Sequence, residues 1–301
     1  MRLVVVALML ICGCGRVGFD AARVVDAQVD TPPDAPCTWT QFSVPALLPG
    51  PVQSASDDWF PTPTRGELEL YFYGYIGALG DAEIVRSTRP DTAAPFSAAS
   101  RVTELESSDD DTSVALSEDS LVLVMTRVTA TTQLYEATRS SPTGTFSTPI
   151  AIASIMAGAD DLSPWLTSDG LRMLFASRRS GLLDLYETTR TTRATPWSAP
   201  TLLAPLASPV HDDNPTLTED GLEIFFSSDR AGSQAYDVYR ATRDAIDQPF
   251  GPPTKVVELS SARDDIGTRL SRDGRRMYLA YDAVRTGGQN AGIYVATRDC
   301  Q

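Results

Sequence analysis

Five turn positions, Gly66, Ser120, Gly170, Gly221 and Gly274, each stand nine residues after an Asp: Asp57, Asp111, Asp161, Asp212 and Asp265. Downstream, each copy ends in Thr-Arg, at Arg89, Arg139, Arg190, Arg243 and Arg298. Seven residues after the first four arginines come Phe96, Phe146, Trp197 and Phe250, and fifteen after each of these is the next Asp. Only the stretch from turn to Arg changes length, from 19 to 24 residues. A register kept over units of roughly 50 residues is the mark of a repeat architecture, in which each unit buries a face that its neighbour covers.

Each unit reads as four strands. A short one (PWLT, PTLT) precedes the turn, and an apolar one rich in branched and aromatic residues (LRMLFAS, LEIFFSS) follows it. The third (DLYETTR, DVYRATR) alternates as a half-exposed strand does. The fourth begins Trp/Phe-Ser-x-Pro. Four antiparallel strands per unit, packed unit against unit, predict the blades of a propeller. A linear solenoid would instead need distinct capping repeats. The ends favour a ring. Phe42 lies fifteen residues before Asp57, so residues 38–50 read as a fourth strand without its first three, whereas the last unit stops after three. The predicted fold is all-β: a five-bladed propeller over 37–301, closed by its N-terminal strand completing the last blade.

Ahead of the ring, MRLVVVALMLICGCG pairs one Arg with an apolar run too short to span a bilayer permanently, as an export signal over 1–13 does. Ile11-Cys12-Gly13-Cys14 resembles the lipobox of bacterial lipoproteins, which implies lipidation at Cys14 and attachment to a membrane of the cell envelope. Residues 14–36, with a Pro cluster and no sustained period, are expected to form a disordered tether. In an exported protein the cysteines flanking the seam, Cys37 and Cys300, are expected to form a disulfide. The net charge of −14 argues against nucleic acid, whose phosphates such a surface repels.

The copies SPWLTSDGLRMLFASRRSGLLDLYETTR and NPTLTEDGLEIFFSSDRAGSQAYDVYRATR resemble the WD-repeat-like units in the β-propeller of TolB-type periplasmic proteins. The fifth unit keeps Ser271, Asp273, Gly274 and Tyr294. The first two depart from the pattern, with Arg65 in place of the turn Asp and Ser120 in place of the Gly. From Cys37 onward the resemblance implies a five- or six-bladed propeller used as a binding platform, and it carries no catalytic residues.

The first strand of a blade is innermost, so Asp57, Asp111, Asp161, Asp212 and Asp265 are expected around one mouth of the central channel, with His211 beside them. Such a column would suit Ca²⁺ or a cationic ligand. Equally, each Asp would serve as a turn acceptor for backbone N–H groups between blades. On the opposite face, the Thr-Arg column is expected to clamp exposed turn acids such as Asp119 and Asp169, an arrangement of little energetic weight. The loops between second and third strands vary most and open on the Asp face, which makes Arg178, Arg179, Arg230, Tyr236 and Arg285 candidate contacts. The expected function is a non-enzymatic envelope platform for a protein or glycan. The alternatives are a glycan-active hydrolase using carboxylates such as Asp57, Asp161 and Asp212, or a purely structural envelope protein. With one His in the chain, a Ser-His-Asp triad would depend on His211.

Overall fold

A computed structural model describes residues 38–54, 57–75, 81–230, 235–261, 264–281 and 291–301. The expected signal peptide and tether, Cys14, Cys37 and Arg285 lie outside these residues. The unit Thr38–Gln301 is all-β and consists of five four-stranded antiparallel sheets. The first blade is β2 (Asp58–Pro63), β3 (Glu69–Gly74), β4 (Glu83–Thr88) and β5 (Ser100–Arg101). The second is β6 (Asp110–Leu116), β7 (Val122–Val128), β8 (Thr132–Thr138) and β9 (Ile150–Ala151). The third is β10 (Asp161–Leu166), β11 (Arg172–Ser177), β12 (Asp184–Thr189) and β13 (Thr201–Leu202). The fourth is β14 (Asp212–Leu217), β15 (Glu223–Ser228), β16 (Asp237–Thr242) and β17 (Thr254–Lys255).

The fifth blade is β18 (Asp265–Leu270), β19 (Arg276–Tyr281) and β20 (Gly292–Thr297), completed by β1 (Ala46–Leu47) from the start of the ring. Ala46 pairs with Val295 and Leu47 with Tyr294. Further along the seam the Ser43 N–H donates to Thr297 O at 2.7 Å and the Thr40 N–H to Asp299 O at 2.9 Å, and Trp39 bridges Cys300. The regular part of this strand is thus shorter than the 38–50 span read from sequence, because Pro45 and the bends around it interrupt the ladder.

Burial follows from the stacking of blades. Second strands are sandwiched between two neighbours and so are buried along nearly their whole length, as β7 and β11 are. The core is correspondingly divided into five clusters, one for each junction. Phe226, Ile224 and Trp165 fill the joint between blades three and four, for example, and Phe72, Leu70, Tyr278 and Ile293 the joint between five and one.

Each first-to-second turn spans five residues: 64–68, 117–121, 167–171, 218–222 and 271–275. Its opening hydroxyl accepts the N–H five residues on, as in Val122 N to Ser117 Oγ at 3.0 Å and Arg172 N to Thr167 Oγ1 at 3.0 Å. The turn acid bonds that same hydroxyl at 2.6 Å and accepts the N–H two residues later, as Asp169 does from Leu171. Its fourth residue is left-handed, at Gly170, Gly221 and Gly274 with φ near +70° but also at Ser120 (+56°) and Glu67 (+52°). The first unit therefore sits one residue beyond the register read from sequence: Glu67, not Gly66, takes the turn position, and Asp58, not Asp57, stands level with Asp111, Asp161, Asp212 and Asp265.

The Thr-Arg column does not clamp the turn acids, which bond within their own turns, Asp119 pairing also with Arg193 at 2.6 Å. Each Arg Nε donates to the carbonyl of its blade's left-handed turn residue, from Glu67 O (2.6 Å) to Gly274 O (2.7 Å). Each guanidinium lies over the aromatic seven residues downstream: Arg89 on Phe96, Arg139 on Phe146, Arg190 on Trp197 and Arg243 on Phe250, at 4.1–4.4 Å. Arg298 completes the set across the seam, 4.8 Å from Phe42 and 4.3 Å from Trp39. The seven-residue spacing thus records a repeated cation–π contact, and Arg139, Arg190 and Arg298 are buried rather than exposed. Glu136 accepts Arg190 at 2.9 Å and Glu223 accepts Arg298 at 2.6 Å, tying blades together.

Phe146→Leu, which keeps an apolar side chain but removes the ring, is expected to cost about 1 kcal/mol in urea unfolding, and Phe146→Ala about 3–5 kcal/mol. Peptide mapping without reductant is expected to recover Cys37 joined to Cys300. Cys300→Ser should then lower stability by about 2–5 kcal/mol. Free thiols at both positions would refute the pairing.

Candidate functional site

At the Asp end of the inner strands two parallel columns hold the blades in place. The first is Asp57, Asp110, Asp160, His211 and Asp264. Each accepts, on Oδ1 or Nδ1, the backbone N–H of a residue at or just before the start of the third strand of the preceding blade. The donors are Ala291 (2.6 Å), Ala82 (2.8 Å), Thr132 (3.0 Å), Leu183 (3.2 Å) and Tyr236 (2.9 Å). In four blades the next residue's N–H returns a bond to the same donor's carbonyl, from Asp58, Asp111, Asp212 and Asp265 to Ala291, Ala82, Leu183 and Tyr236. The result is a two-bond clasp between neighbours, in which His211 takes the place that Asp holds elsewhere. Because its Nδ1 accepts, the ring proton of neutral His211 belongs on Nε2.

The second column is Asp58, Asp111, Asp161, Asp212 and Asp265, all with at most 1% of their surface exposed. Arg179 donates to Asp161 and Arg230 to Asp212, each at 2.6 Å, and each arginine also holds a carbonyl of the preceding connection, Ile155 O and Leu206 O. Arg127 does the same for Asp111 and Leu105 O. In the fifth blade Tyr281 OH replaces the guanidinium and donates to Leu259 O at 2.8 Å. Ser107 and Ser208 supply further bonds to Asp111 and Asp212, the Ser54 N–H donates to Asp58 and Ser261 Oγ bonds Asp265. Candidate anions and candidate cations from the sequence are therefore one another's partners. Among the described residues no three His, Cys, Asp or Glu side chains gather as a metal-holding group.

Burial pushes the carboxyls of Asp111, Asp161 and Asp212 up from the usual range, against the pull of their hydrogen bonds to Arg, Ser or both. The same desolvation raises Asp213, which neighbours His211 and Arg178 and accepts the Asn214 N–H at 2.7 Å. Asp58 is raised to about 6, chiefly by burial and further by Asp57, with the bonds from Ser54 opposing. Its second oxygen is buried without a partner.

The other mouth is bridged by side chains. The second residue of each turn points to that end, and all five take part in links across it: Arg65 pairs with Glu118, Ser168 bonds Glu219, and Arg272 reaches Glu219 at 3.2 Å. Arg272 also spans the channel to Leu116 O and Leu166 O at 3.2 and 3.1 Å.

The two ends differ in one further respect. On the turn end every connection keeps its length: five residues between first and second strands, and eleven between third and fourth (89–99, 139–149, 190–200, 243–253). On the Asp end the second-to-third connections run 75–82, 129–131, 178–183, 229–236 and 282–291. Arg178 stands in one of them, with 42% of its side chain exposed and Asp160 at 3.4 Å, beside the exposed Leu182.

This geometry defines a five-bladed β-propeller with four-stranded blades. No family model matches the chain, and no curated protein sequence is similar to it. Solved structures share the fold. The putative TolB of Agrobacterium tumefaciens superposes with a TM-score of 0.50 at 12% identity, covering 87% of this chain and 91% of that one. The catalytic domain of the Coprinopsis cinerea GH62 α-L-arabinofuranosidase gives 0.57 at 11% identity, covering 86% and 96%. TolB of Acinetobacter baumannii gives 0.48 at 15% identity over 82% of this chain, which spans 55% of the length of that TolB.

The raised Asp58 carboxyl has a signed consequence. The folded state holds its proton more tightly than the unfolded chain, so this contribution to stability is full below about pH 4 and is lost as pH rises through about 6. Asp58→Asn is expected to match the wild type at pH 4 and to exceed it by about 2 kcal/mol at pH 7.5 in urea melts, after allowance for solvent screening. A variant weaker than wild type at pH 7.5 would refute the assignment.

Proposed function

We propose that the protein is a non-enzymatic binding platform of the bacterial cell envelope, lipid-anchored through Cys14, which presents the Asp end of its propeller to a protein or glycan partner. The observation that carries this reading is the contrast between the ends: one keeps every connection length, the other varies its loops on a clasped frame. Variable loops on a rigid scaffold are the usual seat of recognition. The carboxylates below those loops support it too, because Asp111, Asp161 and Asp212 are bound to guanidinium groups and are not free to act as acid or base.

A second reading, a glycan-active hydrolase, draws on the raised Asp58 and Asp213, since a glycosidase needs one carboxyl protonated near neutral pH. The two readings separate in one experiment. Glycan arrays and cross-linking to envelope fractions are expected to yield a partner whose affinity falls at least tenfold in Arg178→Glu/Leu182→Asp, with an unchanged melting temperature. Release of reducing ends from a bound polysaccharide, abolished in Asp58→Asn or Asp213→Asn, would favour the hydrolase instead. Cys14→Ser is expected to release the protein from membranes. Persistence there without acylation would remove the anchor from the proposal.

A further inference from the structure

The channel contains a cation that no acidic side chain among the described residues balances. Arg269 lies on β18, yet its Nη2 donates to Val114 O at 3.2 Å and Pro164 O at 2.9 Å, on β6 and β10. Those inner strands belong to the second and third blades, neither of which adjoins the fifth. The guanidinium therefore crosses the centre of the ring. One layer nearer the turn end, Arg272 makes the same crossing to the same two strands, and Glu219 meets its charge.

Arg269 has no such partner. Its Nε and Nη1 are buried and make no hydrogen bond, and the charge acting on it is that of Arg272, which has the same sign. Burial, followed by that repulsion, pulls the guanidinium down to about 9. A neighbouring inner strand adds another buried donor without an acceptor, Asn214 Nδ2. An unpaired cation with idle donors is among the costliest things an interior can hold, and such groups normally coordinate a counter-charge. Of the four other buried arginines among the described residues, Arg127, Arg190 and Arg298 each pair with a carboxylate, and the fourth, Arg139, lies on the ring of Phe146.

We propose that the channel is an anion site, in which the free N–H groups of Arg269 hold one small monoanion, a halide or a carboxylate. One positive charge needs balancing, and five inner strands enclose it, so the occupant has a single charge and few atoms. The site is independent of the partner assigned to the loops above: it stands whether the loops bind a protein, a glycan or nothing.

The test uses the full chain and two probes, bromide and formate. Crystals grown in sodium bromide are expected to show an anomalous peak within hydrogen-bond distance of Arg269 Nε or Nη1. Thermal melts at constant ionic strength are expected to rise with bromide or formate by about 5 °C at a hundredfold excess over Kd. The rise should vanish in Arg269→Met, whose side chain fills similar space without charge or donors, and persist in Arg269→Lys. A response to bromide alone assigns a halide, and one to formate alone a carboxylate. Ordered water alone at these nitrogens in the bromide crystals, or an equal rise in Arg269→Met, overturns the proposal. The diffraction result needs no variant and so stands even where a substitution impairs folding.

Discussion

Closure of the ring rests on a pairing between its two ends, and the packing of the fifth blade on the first presupposes it. A second strand such as β19 is buried along nearly its whole length because blades lie against both of its faces. An open chain of five blades would leave two such faces in water. The backbone bonds from Thr38 to Leu48 onto β20 and its extension hold blade five in one piece, and with it the cluster that joins blade five to blade one. Because these partners are some 250 residues apart in sequence, they form only after a large loop has been closed, the kind of contact that slows folding.

The two ends of the ring use arginine differently. On the turn end it lies flat on an aromatic ring with its Nε on a turn carbonyl, a contact that depends on little outside its own blade. On the Asp end Arg127, Arg179 and Arg230 bridge a carboxylate to the connection from the previous blade. The first kind fixes the interior of its blade, and at Arg190 and Arg298 it also reaches a glutamate of the blade before; the second kind joins neighbours. The clasp of Asp57, Asp110, Asp160, His211 and Asp264 adds to the second kind without using a guanidinium.

Much of this was legible in the sequence because the signal repeats. Blade number, strand order and the completing N-terminal strand follow from spacings between Asp, turn, Arg and aromatic. What the spacings concealed was partnership. The seven residues from Arg to ring are visible as a number, but the stacking they encode is not, since the intervening chain leaves the strand and returns. The clasp was hidden more deeply: Asp110 finds its N–H donor 28 residues back, in another blade. The offset in the first unit arose because Glu67 occupies a left-handed position that glycine marks elsewhere, so the conspicuous Gly66 drew the register one place early. Glu67 has its own reason to be there, for its carboxylate accepts Tyr278 OH and Arg276 of the fifth blade. The uncompensated Arg269 carried no signal at all, because one Arg in an apolar strand looks like any other until the strands opposite are known.

The inner strands share a kink at their third residue, left-handed at Phe60, Ser163, Asn214 and Gly267. At Gly267 an added Cβ would lie 2.9 Å from the Cα of Phe60 on the next blade. A bare backbone in one blade thus makes room for the backbone and ring of its neighbour, like a key cut to one lock. The five wedges share a plan, but they are not interchangeable. A ring assembled from five copies of the fourth unit would need no such accommodation, whereas one that kept the first blade beside a copy of the fourth would collide there. The present order of blades is therefore a fixed sequence in which divergence of one unit has been answered by its neighbour.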